Sequence, residues 1–140
     1  MKLIGALFGV GYLPGAPGTY ASALMTAVWM GLHAAGWWPE GSDADGLVPI
    51  AVCALLTVAC VIIGNRVSVD EKDPKWFVLD ECAGQWLALA WASGARYWAG
   101  GLFAFGFFRA YDIMKPGMVR RVQGLRGGWG IVMDDLLAGL

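Results

Sequence analysis

Apolar and polar residues follow one another along this chain in blocks much longer than a strand period. From Thr19 the run TYASALMTAVWMGLHAAGWW (19–38) carries no formal charge and closes on a Trp-Trp pair, as expected of a helix anchored at a membrane interface. Thr19 or Ser22 is placed to cap it. PEGSDADG (39–46) is a polar turn, and LVPIAVCALLTVACVIIG (47–64) is an eighteen-residue apolar run just long enough to span. Asn65 and Arg66 mark water again. Ahead of these runs, IGALFGVGYLPGAPG (4–18) holds five glycines and two prolines, which predicts a shaped loop and no regular helix.

The third apolar region, Ala83 to Phe108, is interrupted by SGAR (93–96). One straight helix there would be about 39 Å long at ~1.5 Å per residue, against ~30 Å of hydrocarbon. It would also strand Arg96 near mid-depth, which is costly. The pattern predicts instead two arms of roughly eleven residues, each about 16 Å long. They turn back at Ser93–Gly94, are covered by the helices of 19–38 and 47–64, and leave Arg96 snorkelling or paired. WFVL (76–79) reads as a helix entry. The fold class is therefore all-α: a compact helical membrane protein with two spanning-length helices and a short broken helical hairpin, forming a single domain over 1–140. The last apolar run, GIVMDDLLAGL, stops at Leu140; it reads either as a naturally short end or as one lacking a final apolar helix.

Composition agrees with the lipid setting. The chain is 58% hydrophobic and 15% charged, with eight tryptophans and a mean hydropathy of +0.57, whereas a soluble domain is about half apolar and about a quarter charged. The net charge of −1 hides a segregation, with Glu40, Asp43 and Asp45 in one connection and Lys115, Arg120, Arg121 and Arg126 in another. That basic stretch predicts the cytoplasmic side for itself and, through the hairpin, for the loop 65–82, with 39–46 outward. No nucleic-acid partner is expected. Cys53, Cys60 and Cys82 form no CxxC and read as small buried hydrophobes. The N-terminal MKLIGALFGVGYLPG has too short an apolar stretch for a signal peptide and reads as mature protein.

Chemistry is carried by the acids at apolar boundaries: Asp80 and Glu81 in VLDECAG, Asp112 in FRAYDIMKP, Asp134 and Asp135 in IVMDDLLAG. Carboxylates held against apolar surface are costly unless paired or metal-bound, and hard oxygen ligands suit magnesium. Arg109 and Lys115 flank Asp112 at helical spacing, Pro116 ends that helix, and Arg120, Arg121 and Arg126 follow. Cations beside a metal cluster are what a phosphate ligand requires. The plainer alternatives are surface acids in ion pairs with Arg109 or Arg121, and arginines that set topology or touch anionic lipid. The single histidine, His33, has no partner nearby in sequence and reads as structural.

Four stretches, GYLPGAPGTYASAL, DPKWFVLDECAGQWLAL, FRAYDIMKPGMVRRV and GGWGIVMDDLLAGL, together resemble the phosphatidylglycerophosphatase A family of bacterial membrane enzymes, over about Gly11 to Gly139. The resemblance implies an all-helical fold and Mg²⁺-dependent hydrolysis of the terminal phosphomonoester of phosphatidylglycerophosphate, an anionic phospholipid, at the cytoplasmic face of the bacterial inner membrane. It implies Asp80, Glu81, Asp112, Asp134 and Asp135 as metal ligands, with the water-activating base among Asp80, Asp134 and Asp135. Arg109, Lys115, Arg120 and Arg121 become phosphate contacts. Gly18 and Thr19 become a helix-N-terminal anion site. Two departures stand out: Gly117, Met118 and Val119 follow KP where the family tends to a second proline and an isoleucine, and family members usually continue past AG for another helical stretch. Histidine-nucleophile lipid phosphatases need at least two histidines, and CDP-alcohol phosphotransferases need a DGxxAR-type run; neither is present. The remaining alternative is a non-catalytic membrane adaptor or a divalent-cation-binding membrane protein.

Overall fold

The computed structural model describes residues 1–67, 74–92, 96–115 and 127–140, and among these every regular element is helical. The glycine-rich start forms helix α1 (Lys2–Gly5) and a 3-10 segment (Leu7–Tyr12). The expected loop over 4–18 is thus corrected in part. Gly and Pro forbid long helices, but pieces this short need few consecutive bonds, and the chain breaks at Phe8 and Gly9, where φ is 54° and 113°. This segment straps the entry to the central helix: Val78 donates its N–H to Gly5 O at 2.9 Å, and Phe77, Val78 and Leu79 are buried.

Helix α2 (Pro17–Ala34) starts with proline in its first turn, where the absent N–H costs nothing. Its N-cap is Ala16 without a side-chain cap, so neither Thr19 nor Ser22 caps it. Ser22 Oγ instead donates to Gly18 O at 2.9 Å. Helix α3 (Ala44–Val67) is the one helix among the described residues with both the length and the composition of a membrane span. Leu47, Leu55, Val58 and Ile62 are exposed along it. The second spanning-length helix expected over 19–38 is not met by α2. That helix stops at Ala34 before Gly36 turns the chain at φ 69°, and Ser22, Thr26 and His33 make its buried stripe polar.

Helix α4 (Leu79–Ala90) is the centre of the molecule, packed against α2, α3, α5 (Tyr97–Met114) and α6 (Gly128–Gly139). Nine of its twelve residues are buried, so nearly every side of it must meet protein. The region 83–108 is not one helix: α4 ends at Ala90, Arg96 is the N-cap of α5, and the two helices pack together. The hairpin tip expected at Ser93–Gly94 lies outside the described residues. The second arm, expected at about eleven residues of ~1.5 Å rise, has eighteen. It runs on to Met114 and ends with Lys115 in the left-handed region (φ 40°, ψ 62°), a common way for a helix to close. Arg96 is exposed.

Trp29, Trp86, Leu89 and Phe108 centre one apolar cluster, and Cys60, Ile63, Phe77, Ile131 and Val132 a second. All three cysteines are free and buried. Helices α4 and α6 meet through glycine: a Cβ on Gly84 would stand 2.5 Å from both Asp135 O and Phe108 Cε2. Gly84→Val is therefore expected to lower the thermal unfolding midpoint in detergent, since overpacking costs about 1–3 kcal/mol. An unchanged midpoint would show that this contact is loose.

Candidate active site

Five carboxylates from three sequence-distant stretches come to one region of the bundle because the start of α4, the end of α5 and the middle of α6 pack together. Asp80 and Glu81 stand in the first turn of α4, Asp112 in the last turn of α5, and Asp134 and Asp135 in α6. One oxygen each from Asp80, Glu81 and Asp135 lies within 4.8 Å of the other two. Asp80, Asp112, Asp134 and Asp135 are all buried.

The basic residues contact the remaining two acids. Lys115 Nζ is 2.6 Å from Asp134 Oδ2 and 3.9 Å from Asp112 Oδ1. Its left-handed backbone is uncommon for a residue with a side chain and closes α5. Arg109 Nη1 is 2.6 Å from Asp112 Oδ2. Arg109 Nη1 is thus engaged in an ion pair, and Arg109 Nε has no hydrogen-bond partner among the described residues.

Electrostatics follow from packing acids out of water. Burial pushes the Asp80 carboxyl well above its usual range, and the charges of Glu81 and Asp135 push it further. Burial does the same to Asp135, followed by the charges of Glu81, Asp112 and Asp134 and a side-chain hydrogen bond with Asp112. Glu81 is raised by burial, with Asp80 and Arg109 acting against it. For Lys115 burial acts downward, but the bond to Asp134 and the surrounding acids outweigh it and hold the ammonium above its usual value. Two carboxylate oxygens, Asp80 Oδ1 and Glu81 Oε2, are buried without a hydrogen-bond partner among the described residues. Such a cluster needs protons or a cation to be stable. The oxygen donors and their orphaned lone pairs fit a hard divalent ion.

Gly18 and Thr19 are placed differently from a bare anion site. The Glu81 carboxylate packs against Gly18, so that a Cβ there would collide with Glu81 Oε1. Thr19 donates its N–H to Ala16 O at 3.0 Å within its own turn. A carboxylate beside a helix N-terminus is favourably placed, and the anion seated against α2 is Glu81 itself. Arg120 and Arg121 lie outside the described residues, as does Arg126. His33 is far from this chemistry in kind: it stacks on Trp38 and Tyr97 at 5.0 and 5.5 Å, and its Nδ1 is 2.6 Å from Glu40 Oε1. Sequence reasoning passed over Gln85, fully buried one helical turn after Glu81. The signal was its i+4 spacing from an acid of interest.

Comparison with known proteins agrees with this geometry. Residues 3–140 match the family described as phosphatidylglycerophosphatase A. A proposed phosphatidylinositol-3-phosphatase of Bacteroides thetaiotaomicron is 35% identical over 145 residues, covering 99% of this chain and 86% of the relative. The phosphatidylglycerophosphatase A of Haemophilus influenzae is 29% identical, covering 100% of this chain and 82% of the relative. That of Escherichia coli is 27% identical, covering 99% and 76%. No solved structure matches the chain.

Proposed function

This chain belongs to the phosphatidylglycerophosphatase A family and is a phosphatase, and from that premise we propose that it hydrolyses the terminal phosphomonoester of phosphatidylglycerophosphate with Mg²⁺ as cofactor. The observation that carries the reading is the meeting of Asp80, Glu81 and Asp135 within 4.8 Å, beside the Lys115–Asp134 and Arg109–Asp112 pairs. Asp80, Glu81 and Asp135 would hold the ion, with Asp112 and Asp134 bordering it. When bound, Mg²⁺ neutralises phosphate charge and makes a coordinated water a better nucleophile.

The chain's own residues supply the rest. The Arg109 guanidinium, steadied by Asp112, takes phosphate oxygens, and the Lys115 ammonium offsets charge that develops on them. A carboxylate among Asp80, Asp134 and Asp135 accepts the proton of the attacking water. The new P–O bond forms as the ester P–O bond breaks, and that carboxyl group passes the proton on to the leaving glycerol oxygen. An apolar groove of about 620 Å³ runs along α5 past Phe103, Phe107 and Tyr111, floored by Ala88, Gly100 and Ala104. Its Tyr111 end adjoins Asp112 in sequence, a suitable seat for the acyl chain of a lipid whose phosphate sits at the acids. The basic residues after α5 and the apolar α3 support a place in the bacterial cytoplasmic membrane with the cluster facing the cytoplasm.

The name of the Bacteroides relative favours a second reading, in which the lipid phosphate is on an inositol ring. Phosphate release by the purified protein from mixed micelles of either lipid separates the two. Turnover of phosphatidylglycerophosphate at least tenfold faster is expected. The reverse preference would transfer the assignment to the inositol lipid, and no release from either would favour an adaptor.

A further inference from the structure

Gln85 is fully buried on α4, and among the described residues neither its amide oxygen nor its amide nitrogen has a hydrogen-bond partner. An unmet buried amide is destabilising, and an apolar side chain of similar volume would avoid that loss. Its position says where a partner would be. Residues four apart stack on one helix face, and helical side chains lean toward the N-terminus of their helix. Gln85 therefore reaches back beneath Glu81, the one member of the Asp80–Glu81–Asp135 cluster that shares its face of α4. There Asp80 Oδ1 and Glu81 Oε2 are unpartnered as well. The unmet groups of one helix thus comprise two acid oxygens and, one turn deeper, an amide able both to donate and to accept. The two cations nearby are engaged elsewhere, Arg109 with Asp112 and Lys115 with Asp134.

We propose that Gln85 is a positioning residue for the acid cluster: its amide closes the inner wall of a divalent-cation site, donating to a cluster carboxylate and accepting from a water of the cation's shell. This rests on the cation reading above. Groups that orient the ligands of a metal typically change its affinity 10–100-fold when removed.

The test is calorimetric titration of the purified full chain in detergent with Mg²⁺ and with Mn²⁺, alongside thermal unfolding in EDTA. Gln85→Met conserves volume. It is expected to leave the cation-free unfolding midpoint unchanged or higher while weakening cation affinity about tenfold. Gln85→Glu places another carboxylate at the same wall. It is expected to tighten cation binding and to lower the cation-free midpoint, since like charges repel where no cation offsets them. Unchanged affinity in both variants would overturn the proposal and leave Gln85 as an unmet core amide. Should the Met variant fail to fold, the Glu variant decides alone, because tighter binding requires position 85 to face the cation. A wild-type chain that binds neither ion, or binds them no better than Asp135→Asn does, would overturn the cation reading itself.

Discussion

Replacing Asp135 by asparagine is expected to lower phosphate release about 1,000-fold, within the range that removal of a charge-stabilising or proton-transferring group produces, while making the cation-free protein more stable. The two effects share one cause. Asp135 is buried among Glu81, Asp112 and Asp134, and burial and these charges raise its carboxyl well above the usual range. Asparagine keeps the shape and removes the charge, relieving repulsion when no cation is present and removing a ligand when one is.

The pH dependence has a definite sign. Asp80 and Asp135 both have raised values in the folded chain, against about 3.9 for an unfolded aspartate. As pH climbs above about 4, the unfolded chain ionises first and stability falls until the folded groups ionise too. Cation-free wild type should therefore unfold at lower temperature at pH 8 than at pH 5. Asp135→Asn should show a shallower slope, and saturating Mg²⁺ should flatten it in wild type. Thermal unfolding in EDTA across this range checks the sign; stability that rises with pH would contradict the proposed repulsion.

Arg109→Ala should reduce kcat about 100-fold, the low end of what removal of one preorganised charge donor costs. Arg109 has a mostly buried side chain, pairs through Nη1 with Asp112 at 2.6 Å, and its Nε has no hydrogen-bond partner among the described residues. It is thus held in place with a donor to spare. Arg109→Lys keeps the charge but loses the planar fork, so it should recover only part of the rate. Because Lys115 also lies 3.9 Å from Asp112, the carboxylate keeps a cation nearby and the Ala variant should fold. Steady-state kinetics beside an unfolding curve distinguish the possibilities. A normal kcat would return Arg109 to a role in topology.

Much of the site was legible because charge inside apolar text is conspicuous. Asp80–Glu81, Asp112 and Asp134–Asp135 each interrupt apolar neighbourhoods, and Pro116 fixed the end of α5. The break in 83–108 was visible through Gly94 and Arg96. What periodicity could not show was tertiary. The run 19–38 has no formal charge, yet Ser22, Thr26 and His33 face inward, and neutral polarity does not announce its direction. Gly18 read as a turn residue, whereas in the fold its missing Cβ makes room for Glu81. Gln85 was hidden for a similar reason: an amide in a sequence carries no mark of whether its partners are present. The short helices before α2 escaped because composition rules are calibrated on long ones.

Phosphate release from phosphatidylglycerophosphate by wild type and Asp135→Asn, measured in EDTA and again after Mg²⁺ is restored, bears most closely on the cluster as a cation-dependent catalytic centre. The expected result is release by wild type that disappears in EDTA and returns with Mg²⁺, with Asp135→Asn near background in both conditions. Full wild-type release in EDTA, or an Asp135→Asn variant as active as wild type, would contradict it.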